Sequence, residues 1–181
     1  MSMRELLAAA IAAALIAHAA PALAQQRRDQ GPKLGKPIAA EDLAPWDISI
    51  GPDGAGLPPG GGTPAQGAVI YAEKCAACHG DKGEGKTNAR LVGGQIAGPG
   101  PVVKTVGSYW PYATTLFDFT RRAMPWTAPK SLSNDEVYAV TAHILRLNGI
   151  IGENDVMDAK TLPQVKMPNR DGFIPLFPGK H

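Results

Sequence analysis

Apolar residues recur at helical spacing in three stretches of this chain, and the segments outside those stretches follow neither a helical nor a strand period. The first stretch opens at Thr63, where Thr63-Pro64-Ala65-Gln66 combines a capping residue, a proline at the first helical position and a glutamine at the third. Val69, Ala72 and Ala76 then form its apolar stripe. The second runs from Pro111 to Arg122 with Tyr112, Leu116, Phe119 and Ala123 on one side, and stops before Pro125, whose ring disfavours the helical region in its predecessor. The third has the clearest limits: Ser133 with Glu136 makes a capping box, Leu132 with Val137 a hydrophobic staple, and Gly149 follows the end. Val137, Val140, Ile144 and Leu147 are its expected buried face. Between the first two stretches, Gly80 to Pro101 is rich in glycine and reads as a loop that can pass close to a bulky group. The pattern predicts an all-α domain over residues 63–150.

The flanks differ in kind. Arg4 precedes an almost unbroken apolar run from Leu6 to Leu23, and Ala22-Leu23-Ala24 has the small-x-small form of a cleavage site, so residues 1–24 read as an export signal cut after Ala24. The run also approaches the length of a membrane span. Its alanine-rich composition and terminal Ala-x-Ala favour removal over anchoring. Residues 25–62 hold Pro32, Pro37, Pro45, Pro52, Pro58, Pro59 and the run Gly60 to Gly62, an irregular arm. Trp46, Ile48 and Ile50 within it are apolar groups that a solvated linker does not need. Residues 151–181 return to irregular composition, yet Leu162, Val165, Met167, Phe173, Ile174, Leu176 and Phe177 are too many apolar side chains for a disordered tail. Both arms are expected to pack against something. The formal net charge of +2 excludes nothing but strong nucleic-acid or membrane-surface binding.

The chemistry lies at the end of the first helix. Cys75-Ala76-Ala77-Cys78-His79 is C-x-x-C-H, the attachment pattern of a c-type haem: two thiols add to the porphyrin vinyl groups as thioethers, and the adjacent imidazole reaches the iron. A zinc site would want two further ligands at metal spacing, and a redox dithiol a βαβ context. The chain has 2 cysteines in all, both in this motif. A haem also answers a packing problem, since three short helices enclose too small a core on their own. Export agrees with it, because c-type haem is attached outside the bacterial cytoplasm, which places the mature protein in the periplasm with no stable membrane insertion.

The sixth coordination position decides between carrying electrons and acting on a substrate. Met124, Met157, Met167, His143 and His181 are the candidates after the motif. Met124 lies in Arg121-Arg122-Ala123-Met124-Pro125-Trp126, on an irregular stretch between the second and third helices where a side chain can be aimed at the iron. Met167 shares the Met-Pro pair but lies beyond the last helix, and His143 sits within the third helix as a structural residue. The expected set is Cys75 and Cys78 as covalent attachments, with His79 and Met124 as axial ligands.

These residues carry a resemblance. A helix into C-x-x-C-H, a loop with Leu91-Val92-Gly93, a Met-Pro and a final amphipathic helix resemble the class I cytochrome c fold, about three main helices around one covalent haem, here with irregular N- and C-terminal arms. Trp46-Asp47-Ile48, Gly56 to Gly60, Tyr109 to Asp118, Arg121 to Pro129 and Met167 to Phe173 resemble more specifically the SoxD-type cytochromes. That resemblance implies a monohaem electron-transfer subunit. It would accept single electrons from a molybdenum-containing sulfite or sulfane dehydrogenase in sulfur oxidation and pass them to another c-type cytochrome. Many SoxD proteins carry two haems, whereas this sequence has one attachment motif. The class I pattern also often places a proline before Leu-x-Gly, whose carbonyl orients the haem histidine; here Arg90 is expected at that place. Two other functions compete: a haem enzyme acting on thiosulfate or peroxide at its own iron, and a generic carrier for another periplasmic dehydrogenase. Arg121 and Arg122 are either docking residues or a solvated basic pair.

Overall fold

The computed structural model describes residues 34–174 and Leu176, so the export signal, the start of the first arm and His181 lie outside the described residues. The chain divides into two units after Trp46. In the first unit one short helix, α1 (Ala40–Leu43), forms without a side-chain cap and buries none of its residues.

The second unit holds the helices that the apolar pattern outlines. α2 (Pro64–Lys74) starts with the Thr63/Gln66 capping box, and α3 (Ala76–His79) continues it after Cys75. α4 (Val106–Tyr109) follows a Thr105/Ser108 box that the sequence reading missed. α5 (Ala113–Ala123) ends with Met124 at its C-cap, in extended backbone ahead of Pro125. α6 (Asn134–Leu147) begins with the Ser133/Glu136 box and is followed by Gly149 at φ +68°. α6 is buried along Val137 to Leu145, wider than one stripe, because α2 and α5 cover it from different sides.

Two helix faces differ from the expectation. On α2 the buried residues are Pro64, Gly67 and Tyr71, while Val69 is exposed. A Cβ on Gly67 would overlap the Ala139 carbonyl of α6, so the helices cross where a side chain is missing. An apolar stripe cannot reveal a contact made by a glycine. On α5 the buried face is Ala113, Thr114, Leu116, Phe117 and Thr120, whereas Phe119 is 47% exposed and meets the edge of Trp110. Phe117 lies 4.4 Å from the ring of Tyr138 on α6, and that aromatic contact fixes the rotation of α5.

The irregular segments of this unit pack onto the helices. Ile50 and Leu57 lie against the core, Tyr138 Oη donates to the Pro58 carbonyl (2.9 Å), and Gly61 N–H donates to Asp135 Oδ1 (2.9 Å). β1 (Gly61–Gly62) pairs antiparallel with β2 (Met157–Asp158), joining the entry of α2 to the second irregular segment. Beyond β2, Leu162 and Met167 are buried in the core, and Asn169 Nδ2 donates to the Tyr109 carbonyl (2.7 Å). Arg170 sits over Tyr112 (4.4 Å) and Phe173 meets Tyr109 edge-on (5.2 Å).

Candidate haem site

α2 delivers Cys75 at its C-cap, and one further turn sets Cys78 and His79, whose amides both donate to the Cys75 carbonyl at 3.1 and 3.0 Å. Both thiols are free and partly buried. Burial pushes the Cys75 thiol up to about 11, so it is held as a neutral thiol rather than as a standing thiolate ligand. The chain then turns sharply at Gly80, where φ is +83°. Tyr71 Oη donates to the Gly80 carbonyl (3.0 Å), and burial pushes that phenol up to about 12. Lys74, just before the motif, meets Glu136 at 2.8 Å and ties the end of α2 to the start of α6.

His79 Nδ1 donates to the Ala89 carbonyl at 2.7 Å. A carbonyl only accepts, so this bond fixes the tautomer and leaves Nε2 with its lone pair for a metal. The residue supplying the carbonyl is Ala89, not Arg90 as expected: the orienting position lies two residues before Leu91. Arg90 instead turns its side chain back, Nε donating to the Glu84 carbonyl (3.0 Å). The loop is further tied by Asn88 N–H to Cys78 O (3.0 Å), Gly85 N–H to His79 O (2.7 Å) and Leu91 N–H to Gly83 O (2.8 Å).

Asn148, at the C-cap of α6, also reaches this loop. Its Oδ1 accepts from Gly93 N–H (3.0 Å), and its Nδ2 donates to the carbonyls of Leu91 (3.3 Å) and Ile144 (2.9 Å). Thr105 Oγ1 donates to the Gly93 carbonyl from the other side. Sequence reading missed Asn148. The Asn-Gly pair closing the third helix was the available signal.

Met124 is partly buried at the exit of α5, and its amide closes the helix on the Thr120 carbonyl (3.1 Å). Met167 is packed into the core at 3% exposure, and Met157 is likewise buried. His143 faces Tyr71 across the α2–α6 crossing with ring centroids 5.2 Å apart. Its Nδ1 is buried without a partner, and burial lowers its pKa, with Arg146 adding to the effect. Among the described residues no group of three or more His, Cys, Asp or Glu side chains could hold a metal ion. Two partly buried thiols on one turn, with an imidazole whose tautomer is already set beside them, fit a covalently attached haem. Among the described residues no helix is long and apolar enough to cross a membrane.

Comparison with known proteins agrees in kind. The family model described as cytochrome c oxidase, cbb3-type, subunit III matches residues 62–144. A thiosulfate dehydrogenase of Stutzerimonas stutzeri (strain A1501) is 35% identical over 89 residues, covering 48% of this chain and 28% of that protein. The chain thus spans little more than a quarter of that relative's length. In the crystal structure of the sulfane dehydrogenase SoxCD from Paracoccus pantotrophus, one chain is 42% identical with a TM-score of 0.74. The match covers 79% of this chain and 71% of that one.

Proposed function

Because the chain belongs to the class I c-type cytochromes, carries haem c and is related to the cytochrome of sulfane dehydrogenase, we propose that it is a periplasmic electron-transfer subunit. Its donor on this reading is a molybdenum-containing sulfite or sulfane dehydrogenase, and its acceptor another c-type cytochrome. The observation that carries the proposal is the extent of the SoxCD match. It reaches over 79% of the chain, whereas the general cytochrome family model stops at residues 62–144.

In this assignment Cys75 and Cys78 would hold the haem by thioether bonds, and His79 and Met124 would bind its iron. The haem supplies a one-electron couple. Sulfite oxidation releases two electrons, so the donor must hand them over singly, which a metal centre with an intermediate oxidation state can do. The chain's own contribution is positional. Ala89 holds the His79 ring through Nδ1 and leaves the Nε2 lone pair to bind the iron, and Met124 would supply a thioether, raising the potential relative to a second nitrogen ligand. Trp126, two residues from Met124 and 80% exposed, stands beside that ligand as an anchor for a partner.

The similarity to a thiosulfate dehydrogenase favours a second reading, oxidation of a sulfur substrate at the chain's own iron. That needs a displaceable sixth ligand or a further cysteine near the iron, and Cys75 and Cys78 are the only cysteines in the sequence. Purification from native periplasm with whatever co-elutes, followed by sulfite addition and optical detection of haem reduction alongside a molybdenum assay, separates the two. Reduction that depends on a molybdenum partner supports the subunit. Reduction of the isolated cytochrome by thiosulfate supports the enzyme, and neither refutes both.

A further inference from the structure

The bond between His79 and Ala89 poses a question the fold must answer: what keeps the Ala89 carbonyl in place? Ala89 is exposed and has no ring to fix its φ, unlike the proline often found in the class I pattern. Its two neighbours are restrained instead. Asn88 N–H is bonded to the Cys78 carbonyl on one side. On the other, Leu91 N–H is bonded to Gly83 O, and Arg90 throws its side chain back onto the Glu84 carbonyl at 3.0 Å. Glu84 is itself anchored to the turn after His79, because its carboxylate accepts from Lys82 N–H (2.8 Å) and lies against Gly80. Bonds from the Glu84 and Lys82 backbone N–H groups, with the Lys82 and then the Arg90 charge adding, hold its carboxyl below the usual carboxylate range.

We propose that Arg90 is a positioning residue for His79. By clipping the 88–91 strand of the loop to Glu84 it holds the Ala89 carbonyl against His79 Nδ1, and so sets how strongly the imidazole donates to the iron. The inference rests on His79 being an axial ligand. A strong Nδ1–H···O bond raises the basicity of the ring and favours the ferric state. Loosening the clip weakens that bond and favours the ferrous state.

The test compares Arg90→Ala, Arg90→Lys and Arg90→Gln as full-length holoproteins by midpoint potential and by NMR exchange of the His79 Nδ1 proton in the ferrous state. Lysine and glutamine both keep an N–H donor for the Glu84 carbonyl, and glutamine does so without charge. Arg90→Ala is expected to exchange at least tenfold faster and to shift the oxidised-to-reduced equilibrium about threefold toward the reduced form. For a one-electron couple at 59 mV per tenfold, that is about 28 mV upward. The donor-bearing variants are expected to stay near the parent. Unchanged potential and exchange in Arg90→Ala, even with lower thermal stability, overturns the proposal. If Arg90→Ala fails to load haem, Arg90→Met, which keeps the length of the side chain but no N–H donor, takes its place: parent-like potential and exchange overturn the proposal, and a raised potential with fast exchange supports it. A parent protein whose His79 Nδ1 proton lacks the ring-current shift of a haem ligand sinks the assignment of His79, and the clip with it.

Discussion

Replacing Asn148 with alanine removes one side chain that joins the end of α6 to the loop beyond His79, and its cost can be worked from three contacts. Two run between distant parts of the chain, Gly93 N–H to Oδ1 and Nδ2 to the Leu91 carbonyl, and the third caps Ile144. The partly exposed loop lets water replace some of what is lost, so each cross-chain bond is worth about 1 kcal/mol and the cap about 0.5 kcal/mol. The expected loss is about 2.5 kcal/mol, or roughly 10 °C in melting temperature for a unit of this size. Asn148→Asp sharpens the test. It keeps an acceptor for Gly93 but turns a carboxylate toward two carbonyls at the negative end of the α6 dipole, so it should be at least as destabilising as alanine. Guanidinium unfolding of the holoprotein, followed by far-UV circular dichroism and by the Soret band, reads both variants, and coincident transitions justify a two-state fit. A loss below about 0.5 kcal/mol in Asn148→Ala would refute the reasoning. An aspartate variant more stable than the alanine one would show that the Gly93 bond alone matters.

Met124→Ala is expected to open the sixth position, with loss of the low-spin spectrum and a changed potential; an unaltered spectrum assigns the ligand elsewhere. Met167→Ala should leave the spectrum alone and cost about 2–4 kcal/mol in unfolding, because the side chain is packed in the core. Tyr71→Phe removes one of two bonds to the buried Gly80 carbonyl, which keeps Gly83 N–H (3.1 Å), and should cost about 0.5–1.5 kcal/mol, read by thermal melting. His143 supplies the pH dependence. Burial lowers its pKa from the usual 6.5, so the fold holds it neutral while the unfolded chain takes up a proton. Its share of stability is complete above pH 6.5 and is lost as the pH falls through the window below. His143→Gln should therefore flatten the stability profile as the pH falls below 6.5. Parallel profiles for parent and variant would contradict this.

What could be read from the sequence was chemistry closed within a few residues. The boxes at Thr63/Gln66 and Ser133/Glu136, the stop at Pro125 and the C-x-x-C-H turn each depend on neighbours in the chain, and each is present in the fold. Contacts decided by distant partners were not legible. Gly67 meets Ala139 because it has no side chain, and α5 turns Phe117 rather than Phe119 inward because Tyr138 lies opposite. The Thr105/Ser108 box went unread because serine stands where the usual pattern has glutamate or glutamine. The one-residue error over the orienting carbonyl has the same root, since any residue carries a carbonyl and only the folded loop shows that Ala89 provides it.

The segments beside the haem-bearing helices bear most directly on what distinguishes this cytochrome from a generic carrier. A carrier of single electrons needs the C-x-x-C-H turn, a sixth ligand and three helices, and the general family model is satisfied by residues 62–144. Yet the chain after α6 continues in a fixed course. β2 pairs with β1, Met167 enters the core, and Asn169, Arg170 and Phe173 grip Tyr109 and Tyr112 at the corner between α4 and α5. Ordering these residues costs backbone entropy, which the burial of Leu162 and Met167 and these polar contacts must offset. Haem attachment itself gives no reason to maintain that arrangement. Under the proposed function a partner would, because a preformed surface spares the ordering cost of binding. The match to the SoxCD structure covers 79% of the chain, more than the haem-bearing helices alone supply, so it takes in part of the flanking segments. On the proposed function these flanking segments are where a partner would be distinguished, because the haem chemistry is common to many cytochromes.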